Sequence, residues 1–246
     1  MWAKVTLAYD GSRFFGSQSL TDPRFQPTVL GKLEEVLNCI GIKERVQAAG
    51  RTDRGVHATA QVVSFALPPH WQGSALRLQE ELTRQLWPLM DIRRVELFAT
   101  PFHARYDARS RVYRYLISPT KPSSFQAPYM AWAPDFDPEA AREAARLFIG
   151  RHDFIHFSKR GSDENNTVRH LKSATLYRHR SLHIVRFEAN AFLRSQVRLM
   201  IAAILTVAAG KAQPHEILRQ LHGDRVRFRI PAPAGGLYLC GVRYRS

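Results

Sequence analysis

Residues 45–66 read RVQAAGRTDRGVHATAQVVSFA, and the pattern of this stretch decides the fold class. Arg45 to Ala49 and Ala58 to Ala66 are short runs rich in apolar and β-branched residues, the composition of strands. Between them Gly50-Arg51-Thr52-Asp53-Arg54-Gly55 is punctuated by glycine and dense in polar groups, so it reads as a loop. Upstream, from Pro27, Val29, Leu30, Leu33, Val36, Leu37 and Ile40 recur at three- and four-residue steps before Gly41, the period of a helix with one apolar face. Further upstream Val5, Leu7 and Tyr9 alternate with Lys4, Thr6 and Ala8 as far as Asp10-Gly11, which reads as a half-buried strand and a turn. Downstream a helix is expected over Ser74 to Trp87 and a strand over Asp91 to Phe98. The order βαββαβ predicts a ferredoxin-like lobe, in which two helices cover one face of a four-stranded antiparallel sheet.

The second half follows the same order. Arg111 to Ser118 alternates Tyr113 and Tyr115 with Arg114 and Leu116, as a strand does. Asp137-Pro138-Glu139 opens a helix with a capping carboxylate and a proline at the first helical position. Arg169 to Tyr177 and Leu182 to Ala189 read as a hairpin, Phe192 to Ala209 as a long helix stopped by Gly210, Pro214 to Leu221 as a shorter helix, and Leu237 to Tyr244 as a last strand. The expected class is α+β: two ferredoxin-like or RRM-like βαββαβ lobes with antiparallel sheets, helices on one face and an active-site cleft between them. The join falls in Thr100 to Ser110, giving an N-terminal lobe over residues 1–105 that carries the Gly50–Gly55 loop and a C-terminal lobe over 106–246. Lys121 to Ser124 and Lys159 to Asn166 read as surface loops.

Of 246 residues, 36 are Lys or Arg and 21 are Asp or Glu, a formal net charge of +15. Such a surface attracts a polyanion, either nucleic acid or an anionic membrane. No apolar run approaches the roughly 20 residues of a membrane span, and the most apolar helix pattern contains Arg194 and Arg198. Nucleic acid is the better partner. Met1-Trp2-Ala3-Lys4 runs straight into a strand pattern without a secretory or organellar presequence, so a cytoplasmic location is expected. Cys39 and Cys240 have no metal-type spacing and are expected to be buried thiols.

The loop from Arg51 to His57 packs two arginines, a carboxylate and a histidine into seven residues. Arg51 and Arg54 can bind phosphate or stack on a base, and their positive field favours the ionised form of Asp53, an anionic nucleophile. The other reading of the same residue is a turn aspartate bonded to its own backbone. His152 and His156 have the spacing of a helical metal pair but no further ligands around them, so no metal site is assigned. No P-loop or dinucleotide fingerprint is present, and no cofactor is expected.

Ala49-Gly50-Arg51-Thr52-Asp53-Arg54-Gly55-Val56-His57-Ala58, with Gln61-Val62-Val63, closely resembles the signature of the tRNA pseudouridine synthase A family. Further matches are Tyr9-Asp10-Gly11-Ser12 with Phe15-Gly16, Thr28-Val29 with Leu33-Glu34, Phe102-His103-Ala104-Arg105, Tyr113-Arg114-Tyr115, Asn190 to Leu193 with Val197-Arg198, and Gly236-Leu237-Tyr238-Leu239. The resemblance covers nearly the whole chain. It departs from the family pattern at Ser17, usually tryptophan, at Leu30, usually glutamine, and at Gln196, usually methionine.

The resemblance implies isomerisation of uridine to pseudouridine in tRNA, on the 3′ side of the anticodon stem-loop, by a homodimer without metal or cofactor. It implies Asp53 as the nucleophile, attacking base or sugar, Tyr113 as the ring that stacks on the extruded uracil, and Arg198 as the cation paired with the catalytic carboxylate. Arg51, Arg54, His57 and Leu237 complete the substrate-binding set, with Arg51 the candidate for holding the opened RNA helix. Arg13, Arg24, Arg105 and Arg169 are further candidates for phosphate contacts. The competing class is a non-catalytic RNA-binding protein with two RRM-like lobes, but the spaced aromatics of an RNP1 strand are missing. A carboxylate-pair glycosidase would need a second acid near the loop, and none is evident.

Overall fold

A computed structural model describes residues 1–18, 27–71, 73–159 and 166–245. The chain is mixed α and β and divides into two compact units, Met1–Arg109 with Leu239–Ser246, and Ser110–Tyr238.

In the first unit, β1 (Trp2–Tyr9) is followed by α1 (Val29–Cys39), β2 (Gln47–Ala48), β3 (His57–Ala66), α2 (Ala75–Leu86) and β4 (Met90–Phe98). β1 is central, pairing antiparallel with β3 through Val5↔Val63 and with β4 through Val5↔Val95, while the short β2 pairs with β3. Ala3, Val5 and Leu7 of β1 are fully buried and alternate with half-buried Trp2, Lys4 and Thr6. This is the period-two pattern of a strand whose two faces meet different surroundings. Helix starts follow their caps: the Thr28 hydroxyl accepts from Gly31 N–H at 3.1 Å, and the Ser74 hydroxyl from Arg77 N–H at 3.1 Å. Beyond these caps Leu33, Val36 and Leu37 of α1 and Leu78, Leu82 and Leu86 of α2 form the buried stripes. Each such side chain contributes about 1.5–3 kcal/mol on leaving water.

The second unit begins with β5 (Ser110–Ser118), β6 (Ala131–Trp132), α3 (Pro138–Arg146) and β7 (Gly150–Asp153). It continues through β8 (Val168–His179), β9 (Leu182–Ala189), α4 (Gln196–Ala208) and α5 (His215–His222) to the start of β10 (Leu237–Arg243). β9 lies between β5 and β8, and β7 adds to the far side of β8. Asp137 caps α3, its carboxylate accepting from Glu139 N–H at 2.8 Å, with Pro138 at the first helical position.

Several expectations change. The last strand belongs mostly with the first unit, not with a lobe over 106–246. The hydroxyl of Tyr244 donates to the Ala104 carbonyl at 2.8 Å, and Arg109 N–H donates to the Arg243 carbonyl at 2.7 Å. Helix α4 starts at Gln196, not Phe192, because Ser195 has φ +58 and interrupts the helical path. Cys39 is exposed and Cys240 half-buried, not both buried. Cys39 stands two residues past Leu37, which turns it away from the buried stripe of α1. His152 and His156 share no helix: His152 is on β7, and His156 is in the short 3-10 turn that follows. Arg24 and most of the Ser17–Gln26 and Lys159–Asn166 loops lie outside the described residues.

Candidate active site

The loop between β2 and β3 is fixed at its centre by Thr52. Its hydroxyl shares a hydrogen bond with the Tyr9 hydroxyl at 2.9 Å. Its N–H donates to Ser17 Oγ at 2.8 Å, and its carbonyl accepts from Ser17 N–H at 3.0 Å. Thr52 and Ser17 are both buried, so these bonds are shielded from water and leaving one unmade would carry a desolvation cost. Burial pushes the Tyr9 phenol up to about 12, with hydrogen bonds from Thr52 and Gln61 opposing the shift. The phenol therefore stays protonated at neutral pH and able to donate.

Asp53 follows this anchor directly and is half-buried. Its carbonyl accepts from Val56 N–H at 3.1 Å, closing a turn in which Gly55 has φ +79. A side chain at position 55 would be strained there, which accounts for the glycine. Before the turn, the Gly50 carbonyl accepts from Gln61 Nε2 at 2.8 Å. After it, His57 is 2% exposed and its Nδ1 accepts from Gly11 N–H at 3.0 Å. Asp10 Oδ1 also stands 3.2 Å from Nδ1. His57 thus braces the loop from inside. Arg51 and Arg54 are exposed, and the Arg54 guanidinium lies 4.6 Å from the Phe15 ring centre, a cation–π contact.

The second unit holds the other expected residues. Tyr113 lies on β5, 6% exposed, edge-on to Phe192 with ring centres 5.1 Å apart. Arg198 is in the first turn of α4. Its Nε donates to the Ala232 carbonyl at 2.8 Å, and Ala232 N–H returns a bond to the Arg198 carbonyl at 3.0 Å. Burial holds the Tyr115 phenol well above the usual tyrosine value, and the Arg198 charge only partly opposes that shift. The Tyr115 hydroxyl donates to the Pro233 carbonyl at 3.0 Å, and any side chain at Gly236 would strike the Tyr115 ring. Arg198 and the segment leading into buried Leu237 therefore meet at Tyr115, two residues along β5 from Tyr113. Gln196 holds the approach to this helix, its Oε1 accepting from Leu193 N–H at 2.8 Å.

Among the phosphate candidates, Arg13 and Arg105 are exposed, whereas Arg169 is 8% exposed and donates from one guanidinium nitrogen to the Asn166 and Val168 carbonyls. Composition and spacing give no signal for the bracing roles of Tyr9, Ser17 and Thr52.

A family model described as tRNA pseudouridine synthase matches residues 144–245. A tRNA pseudouridine synthase A of Wolinella succinogenes is 42% identical over 240 residues, covering 98% of this chain and 93% of its own length. This chain belongs to the tRNA pseudouridine synthase A family. Family members from Helicobacter hepaticus, 39% identical over 98% of both chains, and from Campylobacter jejuni, 35% identical over 99% of this chain and all of its own, agree with that placement. A chain of a solved Cbf5-Nop10-Gar1 complex aligns over 82% of this chain and 44% of its own length at 10% identity and a TM-score of 0.37, too distant to inform the family's fold.

Proposed function

We propose that this protein isomerises uridine to pseudouridine in tRNA, on the 3′ side of the anticodon stem-loop, with Asp53 as nucleophile. The observation that carries the reading is the Asp53 loop: a half-buried carboxylate on a backbone pinned through Thr52, with exposed arginines on either side. Preorganisation of this kind holds a nucleophile in one attack geometry and avoids the entropic cost of ordering it during reaction. Family membership supplies the reaction class. The N1–C1′ bond breaks, C5 bonds to C1′, the C5 proton leaves and N1 regains one. Nothing is oxidised or reduced, so neither cofactor nor metal is assigned.

Arg51 holds the opened RNA helix, while Arg54, kept upright by Phe15, takes a phosphate. His57 serves binding indirectly by fixing the loop. Tyr113 stacks on the extruded uracil, Arg198 is the cation paired with the catalytic carboxylate, and Leu237 forms apolar pocket wall. We assign a ferredoxin-like fold to each unit, supported in the first by the antiparallel neighbours β4, β1 and β3, with β2 and β10 both pairing with β3. The protein acts as a cytoplasmic homodimer. No helix among the described residues is long and apolar enough to cross a membrane.

Mapping pseudouridine by carbodiimide adducts and reverse transcription, after incubation with unmodified tRNA transcripts, tests the substrate assignment. Stops are expected on the 3′ side of the anticodon stem-loop. Stops confined to another arm would overturn the position, and no stops in any tRNA would overturn the activity.

A further inference from the structure

The segment after β4 shares its foundation with the Asp53 loop. Phe102 and Ala104 are buried in one apolar cluster with Ala49 and Val62, against which Trp2, Phe98, Val242 and Tyr244 pack. Ala104 N–H donates to Ser64 Oγ at 2.9 Å, locking the segment to β3. Ala49, whose N–H donates to the Val62 carbonyl at 2.8 Å, is the residue from which Gly50 and the Asp53 loop depart.

From this foundation the chain turns outward and closes on itself. His103 N–H donates to Asp107 Oδ2 at 2.8 Å, and Asp107 N–H to the His103 carbonyl at 3.0 Å. His103 Nδ1 accepts from Arg105 N–H at 3.1 Å and from Tyr106 N–H at 3.3 Å. Such local side-chain bonds fix an exposed backbone that no strand or helix supports. The loop displays Tyr106, 75% exposed, with its ring 4.2 Å from the His103 ring and 5.7 Å from the Arg105 guanidinium. Leaving a large ring in water gives up its burial energy. A ring set on this self-bonded loop, backed by an imidazole and with a guanidinium 5.7 Å from its centre on a chain of net charge +15, suits an unstacked base and its phosphate.

We propose that Tyr106, supported by His103 and with Arg105 beside it, is a stacking platform for an unpaired base of the RNA substrate. The proposal rests on the reading of tRNA as substrate and adds to it a contact beyond the Asp53 loop. The platform spares the opened RNA part of its unstacking cost and fixes the RNA relative to the foundation that carries Asp53.

The test measures equilibrium binding of an unmodified tRNA transcript, and release of tritium from its C5-labelled uridines, for wild type, Tyr106→Ala and Tyr106→Phe. Loss of one base–aromatic stack predicts about tenfold weaker binding by Tyr106→Ala and a matching rise in KM, with kcat within about twofold. Tyr106→Phe keeps the ring and is expected to match wild type. Unchanged binding by Tyr106→Ala, or equal losses in both variants, would overturn the platform. If wild type binds the transcript but releases no tritium, the isomerase reading fails, while the binding comparison still decides the platform.

Discussion

Gly11→Ala tests how firmly the Asp53 loop is held. Gly11 needs no positive φ, so the substitution is a steric probe. A methyl there overlaps the Val56 carbonyl and sits 3.0 Å from the backbone nitrogen of His57. Ordinary contacts lie at about 3.5–4.0 Å, so the Val56 carbonyl must retreat by roughly an ångström or more. Val56 N–H closes the turn on the Asp53 carbonyl, and Gly11 N–H donates to His57, so the retreat disturbs both ends of the turn. Overpacking of this kind costs about 1–3 kcal/mol, and loss of the His57 bond about 1 kcal/mol more. A nucleophile misplaced by about 1 Å loses on the order of a hundredfold in rate. The control is Gly210→Ala, where φ is +69 and a methyl meets nothing within 4 Å. It costs about 1–2 kcal/mol in backbone strain and leaves the rate unchanged. Urea denaturation and single-turnover tritium release at saturating tRNA read both variants. Wild-type stability and rate in Gly11→Ala would refute the idea that this contact sets the loop, as would equal rate losses in both variants.

Other substitutions probe separate parts of the structure. Tyr9 loses its proton near pH 10.0 when unfolded but near 12 when folded, so its contribution to stability is whole below pH 10 and is lost as pH rises to about 12. Urea midpoints across that window should fall less steeply in Tyr9→Phe than in wild type. Gln220 is fully buried, its Oε1 accepting from Arg227 and Phe228 N–H at 2.8 and 2.7 Å and its Nε2 donating to the His156 carbonyl at 2.8 Å. Gln220→Ala should lower stability by about 3 kcal/mol in urea denaturation without changing tRNA affinity. Removing a phosphate contact with Arg54→Ala should reduce the slope of log Kd against log salt by about 0.7–0.9, measured by titration at several KCl concentrations.

The elements legible in the sequence are those with a strong period or a clear cap. β1, α1 and α2 lie within two residues of their expected bounds, since their buried residues alternate or recur and Thr28 and Ser74 mark the helix starts. β7 was not legible because Gly150–Asp153 is short and polar and owes its strand form to pairing with β8. Helix α4 starts at Gln196 and not at the expected Phe192, because Phe192 and Leu193 continue the apolar pattern while the break depends on the left-handed backbone of Ser195. At the candidate site, the residue types in Arg51 to His57 stand out. Their bracing is invisible along the chain, because Tyr9 and Ser17 reach Thr52 only after folding. Ser17, legible only as a departure from the family's usual tryptophan, is one of the two hydroxyls that hold Thr52. Tyr106 carries no periodic signal, and its interest arises from exposure on a self-bonded loop.

Asp53→Asn isolates the proposed chemistry, because it keeps the shape of the side chain and the backbone bond to Val56 while removing the anionic nucleophile. Wild type and variant would be incubated with tRNA carrying tritium at uridine C5, after matching urea midpoints and tRNA affinities confirm that the variant folds and binds. Wild type is expected to release tritium at a rate that saturates with enzyme, and Asp53→Asn to release none above background. Release by the folded, tRNA-binding variant at the wild-type rate would contradict the assignment of Asp53 as nucleophile.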